Sequence, residues 1–315
     1  MIFQVSYPQS LLIKKRPQSN DFEAFFQTLF KCIKERGHIL KIAVDSLAPT
    51  ASPGVISILI HSTGKQINTW YIKRGYLRKQ FYLDSMGYSG WSELARSRDL
   101  FEESQLEDEQ SSRLFVENYR NNNLEKNISK WPQPEKHFEP GERSYYFLPL
   151  QIFEDFVIQL SRIDYFSFVK AVARAVRESD SDLIIKRHPL CKSKEVFTLL
   201  SELSLQPEIK ISNRSVCSLI KNSKGVICIN SGVGFESLFY YKPVINAGDS
   251  DYGWVTSQVQ TLEEVYSFQT IARKPVNSSS IAKFLNYTCN KYFVNYDDES
   301  MMHSRLERIE KMAIV

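Results

Sequence analysis

The sequence predicts an α/β protein built on parallel sheets, and three observations carry that expectation. From Tyr145 onward, short apolar runs alternate with helical patterns: strands at 145–150, 182–186, 208–211, 225–229 and 243–247, and helices at about 154–178, 192–204, 214–222 and 232–241. In the amino-terminal part, strand-like runs at His38–Val44, Val55–Ile60 and Thr69–Ile72 follow a helical pattern at Asp21–Arg36. The runs ending at Lys186 and Ile229 break off abruptly in polar, small or proline residues, as buried parallel strands do where they open into loops.

The first helix places Phe22, Phe25, Phe26, Leu29, Phe30 and Ile33 at helical spacing, and these are expected in the core. Residues 98–136 are polar, contain Asn121-Asn122-Asn123 and end in Trp131-Pro132-Gln133-Pro134, with Pro140-Gly141 beyond. They read as a partly helical linker between domains at 1–140 and 141–315. The helix at 154–178 carries Phe156, Val157, Leu160, Ile163, Phe166, Val169, Val172 and Val176 on one face, against Arg162, Lys170, Arg174 and Arg177 on the other. Glu299–Met312 reads as a charged terminal helix.

Composition narrows the function classes. A chain of 315 residues with 43% hydrophobic and 13% aromatic content can bury a sizeable core. Its five cysteines, Cys32, Cys191, Cys217, Cys228 and Cys289, are scattered and show none of the short paired spacings of a zinc site. No run reaches the roughly 18 apolar residues that span a bilayer, so a cytoplasmic protein is expected, with at most peripheral contact at the inner face of the membrane. The net charge of +4 gathers at Lys14-Lys15-Arg16, Lys31–Arg36 and Arg74-Arg78-Lys79. No nucleic-acid-binding motif accompanies it, and anionic substrates or lipid headgroups account for it as well.

Two strand ends carry the candidate chemistry. After Ile229, Ser231 is placed to cap a helix whose first turn, Gly232-Val233-Gly234, is nearly bare, so that amide groups face outward. Lys186 and His188 supply donors from the other strand end, and Pro189 fixes the backbone beside the histidine. Either feature alone is common in α/β proteins; together they suggest a phosphate site. Glu236, one turn into the helix, is either a partner for ribose hydroxyls or an ordinary surface carboxylate.

These stretches lie in order with others. Ile72-Lys73-Arg74-Gly75-Tyr76-Leu77-Arg78-Lys79-Gln80-Phe81 comes first, followed by Gly87-Tyr88-Ser89-Gly90-Trp91-Ser92-Glu93-Leu94 and by Tyr145 to Asp155 with Gln151 inside it. The Lys186-Arg187-His188-Pro189 strand end and the loop from Asn230 to Lys242-Pro243-Val244 complete the series. Over roughly residues 70 to 255 the pattern resembles the capsule polysaccharide synthesis family of bacterial glycosyltransferases, and most closely its KpsS/LipB-type members. The resemblance implies a GT-B-like fold, two Rossmann-type domains with parallel sheets facing across a cleft and a terminal helix crossing back. It also implies transfer of an acidic sugar, Kdo, from CMP-Kdo to a lipid or glycan acceptor. Pro189, Asn230, Ser231, Gly232, Val233, Gly234, Glu236 and Gln151 are then nucleotide-binding, with His188 and Lys186 catalytic. No cofactor is expected. The chain lacks an Asp-x-Asp pair to hold a metal-bridged diphosphate, so no metal is expected either.

One departure stands out. Where relatives carry carboxylates before Gly-Tyr-Leu-Arg, this chain has Lys73-Arg74, which are expected to bind the sugar carboxylate or a charged acceptor. Asp84 is the nearest replacement for the lost carboxylate, then Glu93, with Asp155 more distant. The alternatives are an inactive nucleotide-binding homologue serving as a scaffold or regulatory subunit, and a transferase for a different nucleotide sugar.

Overall fold

Short runs of β-branched and aromatic residues form two six-stranded sheets, each within its own compact unit of a computed structural model. The structure describes every residue except 10, 12–18, 45–48, 50–51, 135–142 and 315. Lys14-Lys15-Arg16 and Pro140-Gly141 therefore lie outside the described residues.

The first unit comprises Met1–Leu100 and Asn286–Val315. Its sheet contains β1 (Ile2–Tyr7), β2 (Ile39–Val44), β3 (Val55–Ile60), β4 (Thr69–Arg74), β5 (Gln80–Asp84) and β12 (Val294–Asn295), in the order β12-β5-β4-β3-β1-β2. The four strands β2, β1, β3 and β4 are parallel, β5 runs antiparallel to β4, and β12 pairs antiparallel with β5 and so points the same way as the four. Helix Ser19–Glu35 buries Phe25, Phe26, Leu29 and Ile33 against Phe3, Val5, Ile56 and Ile58. Phe22 and Phe30, also expected in the core, are only partly buried. Helix Glu299–Met312 adds Met302, Leu306 and Ile309 to the same core. Arg36 and His38 grip its Glu310 at 2.5 and 2.8 Å, and the Arg36 bond in particular holds that carboxyl down to about 2.

The second unit is Phe101–Leu285. Its strands β6 (Tyr145–Pro149), β7 (Asp182–Lys186), β8 (Ile209–Ile211), β9 (Val226–Cys228), β10 (Val244–Asn246) and β11 (Ser257–Gln258) pair in the order β11-β10-β9-β6-β7-β8, all parallel. This is the doubly wound Rossmann order, whose direction reverses between β6 and β9. The expected α/β class with two mostly parallel sheets is present.

Two details differ from the sequence expectations. Residues 101–134 belong with the second unit, where the sequence placed them in the first domain, 1–140, while 286–315 belong with the first, in keeping with the terminal helix expected to cross back from 141–315. The 98–136 stretch is partly helical, as expected, with helices Arg98–Ser104 and Glu109–Asn122, the latter capped by Asp108. The helix expected over 154–178 is two elements, a 3-10 turn at Phe156–Leu160 and helix Tyr165–Arg177. Asp164 starts the latter afresh by accepting from the Ser167 amide, and Phe156 is left exposed.

Gly234 shows how tightly the second sheet's switch region is packed. A Cβ there would lie 2.7 Å from Tyr252 Oη and 3.0 Å from Cys228 Sγ. The Tyr252 hydroxyl in turn donates to the Ser231 carbonyl at 2.6 Å and accepts from Asn246 Nδ2 at 3.1 Å. Gly234→Ala is expected to destabilise the second unit by roughly 1–3 kcal/mol in urea unfolding. In a double-mutant cycle, Tyr252→Phe should offset part of that loss by removing the clashing oxygen. Strict additivity of the two changes would contradict the packing described.

Candidate functional site

In a doubly wound sheet the ligand crevice opens at the carboxyl ends of the strands that flank the switch point. In the second unit those are β6 and β9. Gln151, two residues past β6, and Asn230, two past β9, close on each other there: Gln151 Nε2 donates to Asn230 Oδ1 at 2.7 Å, and the Asn230 amide donates to Gln151 Oε1 at 3.2 Å. Asn230 Nδ2 also donates to the carbonyls of Val157 and Asp249 at 2.8 and 3.2 Å, which satisfies a buried amide completely. Ser231 then caps helix Gly232–Leu238, its Oγ accepting from the Val233 amide at 3.3 Å.

The other side of the crevice is the end of β7, hydrogen-bonded to β6. His188 Nδ1 accepts from the Leu190 amide at 3.2 Å, which leaves the ring proton on Nε2. Burial lowers the His188 pKa, Asp155 opposes this, and Lys130, Arg187 and Lys186 reinforce it, so the ring is a neutral hydrogen-bond donor set among cations. Lys186 reaches the Arg214 carbonyl at 2.5 Å, and burial lowers its pKa as well. Arg187 braces the loop through the carbonyls of His188 and Cys191 and lies over the Phe197 ring. Pro189 is exposed beside them.

Two expectations for this site need correction. The amides of Val233 and Gly234 do not face outward bare, because both donate to Ser231, one to its hydroxyl and one to its carbonyl. The small size of Gly234 leaves room for Tyr252. Glu236 is neither a surface carboxylate nor open to a ribose: it is 2% exposed, and its Oε1 accepts from Ser129 Oγ at 2.7 Å and from the Lys130 amide at 3.4 Å.

That contact belongs to a strap the sequence reading took for linker. Residues 124–134 run along the carboxyl edge, tied down by Asn127 to Ser215, by Gln133 to the Val216 amide at 3.0 Å and by Ser129 to Glu236. The strap sets Trp131 edge-on to the His188 ring, with centroids 6.0 Å apart, and supplies Lys130. A tryptophan among prolines in an otherwise polar stretch was the available signal for both.

The first-unit candidates divide between opposite ends of a β-hairpin. In the β4/β5 pair Arg74 faces Phe81 and Tyr71 faces Asp84, which separates Arg74 from Asp84 by about 10 Å along the strands. Asp84 is 1% exposed. Its Oδ1 accepts from the amides of Met86 and Gly87 at 2.7 and 2.8 Å, and its Oδ2 from the Glu93 amide at 3.1 Å and the Tyr292 hydroxyl. Burial, aided by Glu93, pushes the Asp84 carboxyl up to about 6. Asp84 thus organises a loop, and both oxygens are spent. Glu93 is likewise committed, to Ser85 and to Arg308 at 2.8 Å. At the other end Lys73 lies over the Tyr88 ring at 4.8 Å, and Arg74 pairs with Asp21 at 2.5 Å.

For a metal, Cys32, Glu35 and His303 bring three ligating atoms within 4.8 Å of one another. They lie at the opposite end of helix Ser19–Glu35 from Asp21, with the Cys32 thiol buried and its pKa raised by that burial. Among the described residues no helix is long and apolar enough to cross a membrane.

Burial carries Glu236 from an ordinary value near 4.5 to about 7. The folded chain therefore holds a proton that the unfolded chain has released, and this residue's contribution to stability falls as pH rises from about 4.5 through about 7. Glu236→Gln has no such dependence. Its stability relative to the parent is expected to increase between pH 5 and pH 8, by up to about 3 kcal/mol. Chemical unfolding of both proteins at the two pH values checks this, and a pH-independent difference would contradict the burial of an ionisable group.

The capsule polysaccharide biosynthesis protein family matches residues 122–298, more than half of the chain and the whole of the strap and second sheet. Protein FixF of Sinorhizobium fredii is 32% identical over 113 residues, covering 34% of this chain and 27% of that protein. The capsule polysaccharide modification protein LipA of Neisseria meningitidis serogroup A is 30% identical over 146 residues, covering 44% and 20%. The chain thus spans about a quarter or less of the length of these relatives. Among solved structures, the β-Kdo 2,4 transferase of Thermosulfurimonas dismutans KpsC superposes with a TM-score of 0.53 at 17% identity, covering 89% of each chain. The β-Kdo 2,7 transferase of the same protein gives 0.56 at 13%, covering 98% of this chain and 100% of that one. At such identities the likeness is one of fold. With its doubly wound second unit and the collinear motifs of residues 122–298, the chain belongs to the capsule polysaccharide biosynthesis protein family.

Proposed function

We infer that this chain is a glycosyltransferase of capsule or related surface-polysaccharide synthesis that uses a nucleotide-activated acidic sugar, CMP-Kdo, and passes the sugar to a lipid or glycan acceptor. The observation that carries the reading is the carboxyl edge of the second sheet, where His188 presents Nε2–H among Lys186, Lys130 and Arg187 beside the Gln151–Asn230 pair. Family membership supports it, as do the names of the two superposed solved structures, both Kdo transferases.

A CMP-activated sugar leaves behind a phosphate monoester, so the site must stabilise negative charge as the sugar–phosphate bond breaks. Lys186 and Lys130 supply positive charge, and His188 donates a hydrogen bond from Nε2. Because its pKa is lowered, that imidazole acts as a neutral donor rather than as a source of a full proton at neutral pH. The Ser231 hydroxyl, whose oxygen accepts from Val233, retains its own proton to offer the phosphate. Trp131, held beside His188 by the strap, provides an aromatic surface for the base. With a monophosphate leaving group neutralised by side chains, no divalent ion is needed. In this reading contact with the membrane is peripheral and serves a lipid-linked acceptor.

A second reading, a nucleotide-binding scaffold without turnover, is favoured by Arg74 standing in place of a carboxylate. Calorimetry and a CMP-release assay separate the two. CMP is expected to bind the parent, and His188→Ala and Lys130→Ala, each shown to be folded, are expected to bind at least about tenfold more weakly. Release of CMP from CMP-Kdo should persist in EDTA. Parental affinity in both variants would misplace the site, CMP binding without release would favour the scaffold, and turnover lost in chelator and restored by magnesium would overturn metal independence.

A further inference from the structure

The first sheet has a switch point of its own. β2 lies on one side of β1 and β3 on the other, so its crevice opens at the carboxyl ends of β1 and β3. Three elements bring polar side chains to that edge. Helix Ser19–Glu35, which follows β1, places Asp21 in its first turn. β4, the neighbour of β3, ends in Arg74. β12 runs antiparallel to β5, with Asn295 opposite Gln80, and so delivers Tyr296 to the same edge. His61, the residue after β3, sits there with a left-handed φ of 50° and its ring against Phe22 at 5.6 Å.

Asp21 is the centre of this group. Arg74 Nη2 donates to its Oδ2 at 2.5 Å and Tyr296 Oη to its Oδ1 at 2.9 Å, while Thr28 Oγ1 holds the Tyr296 carbonyl at 2.9 Å. The Arg74 side chain is only 12% exposed, but that of Asp21 keeps 26%. The carboxylate is therefore oriented by two donors and still open on one side, whereas Asp84 and Glu93 lie at the far end of the hairpin with their oxygens spent. Arg74 is committed to Asp21 and so holds that carboxylate in place at this edge. A fixed, partly exposed carboxylate accepts hydrogen bonds, and the charge-assisted bond from a sugar hydroxyl is the interaction it suits best.

We propose that Asp21, held by Arg74 and Tyr296, is the acceptor-binding carboxylate of this protein and takes a hydrogen bond from a hydroxyl of a polyhydroxylated sugar. The assignment deepens the glycosyltransferase reading and rests on it for the identity of that sugar as acceptor. It also gives the Lys73-Arg74 departure a physical sense, since the negative charge absent from β4 is supplied from the neighbouring helix and tied to the strand by the arginine.

The test uses the full chain, CMP-Kdo and a short Kdo oligosaccharide as acceptor. Asp21→Asn is expected to raise the acceptor KM about tenfold or more while leaving the donor KM within about twofold. Tyr296→Phe should shift the acceptor KM the same way by less, and Asp21→Glu should recover part of the loss. Parental acceptor KM in Asp21→Asn overturns the proposal. So does a parallel change in donor and acceptor constants with a lowered Tm, which marks a scaffold role. If the parent itself shows no turnover, the glycosyltransferase reading fails first, and calorimetry with the same oligosaccharide decides the subsite: tighter binding by the parent than by Asp21→Asn sustains it, equal binding overturns it.

Discussion

The reciprocal hydrogen bonds between Gln151 and Asn230 are the constraint on which the second unit's site depends. They bridge β6 and β9 where strand order reverses, the one place in a doubly wound sheet where neighbouring crossover connections diverge and leave an opening. Every donor of the Asn230 side chain is satisfied by carbonyls of flanking loops, so the floor of the crevice is fixed before any ligand arrives. Ser231 follows immediately and is held from below by Tyr252 through its carbonyl. The space for Tyr252 exists because residue 234 is glycine. Lys186 and His188, at the end of β7, thus sit beside a rigid neighbour.

Three carboxylates of the candidate sites fall into two physical classes. Asp84 and Glu236 are buried, collect amide and hydroxyl donors, and have pKa values raised to about 6 and about 7 because desolvation outweighs those bonds. Both hold chain segments: Asp84 the turn after β5 and the returning Tyr292, Glu236 the strap that carries Lys130 and Trp131. Asp21 is partly exposed, and its donors are a guanidinium and a phenol. Nearness in sequence pointed to the first class for function, and position on the sheet points to the second.

The sequence made the second sheet legible almost strand by strand, because fully buried parallel strands read as apolar runs with polar ends. β7 was expected at 182–186 and is found there, and β6 and β9 differ by a residue or two at their ends. β1 was not read, since Ile2–Tyr7 mixes apolar and polar residues over only six positions, and β5 lay hidden inside a stretch read as a motif. The single helix expected over 154–178 failed because Asp164 offered a better start than continuation through Ser161-Arg162. In the candidate site, His188, Lys186, Asn230 and Ser231 were legible from strand-end chemistry. Lys130 and Trp131 were not, because their place depends on Glu236, a contact 107 residues distant in sequence. The Arg74–Asp21 pair spans 53 residues and was equally out of reach of local pattern.

In the proposed reading the carboxyl edge of the second sheet, at His188, receives the nucleotide phosphate. Nitrogen-15 NMR of the imidazole rings tests it directly, since the chain has five histidines and His188→Gln identifies the signal. In the free protein His188 is expected as the neutral Nε2–H tautomer, and titration with CMP is expected to give a saturable shift of its Nε2 that leaves Nδ1 bound to the Leu190 amide. Saturation with CMP that leaves both His188 nitrogens unmoved would contradict it.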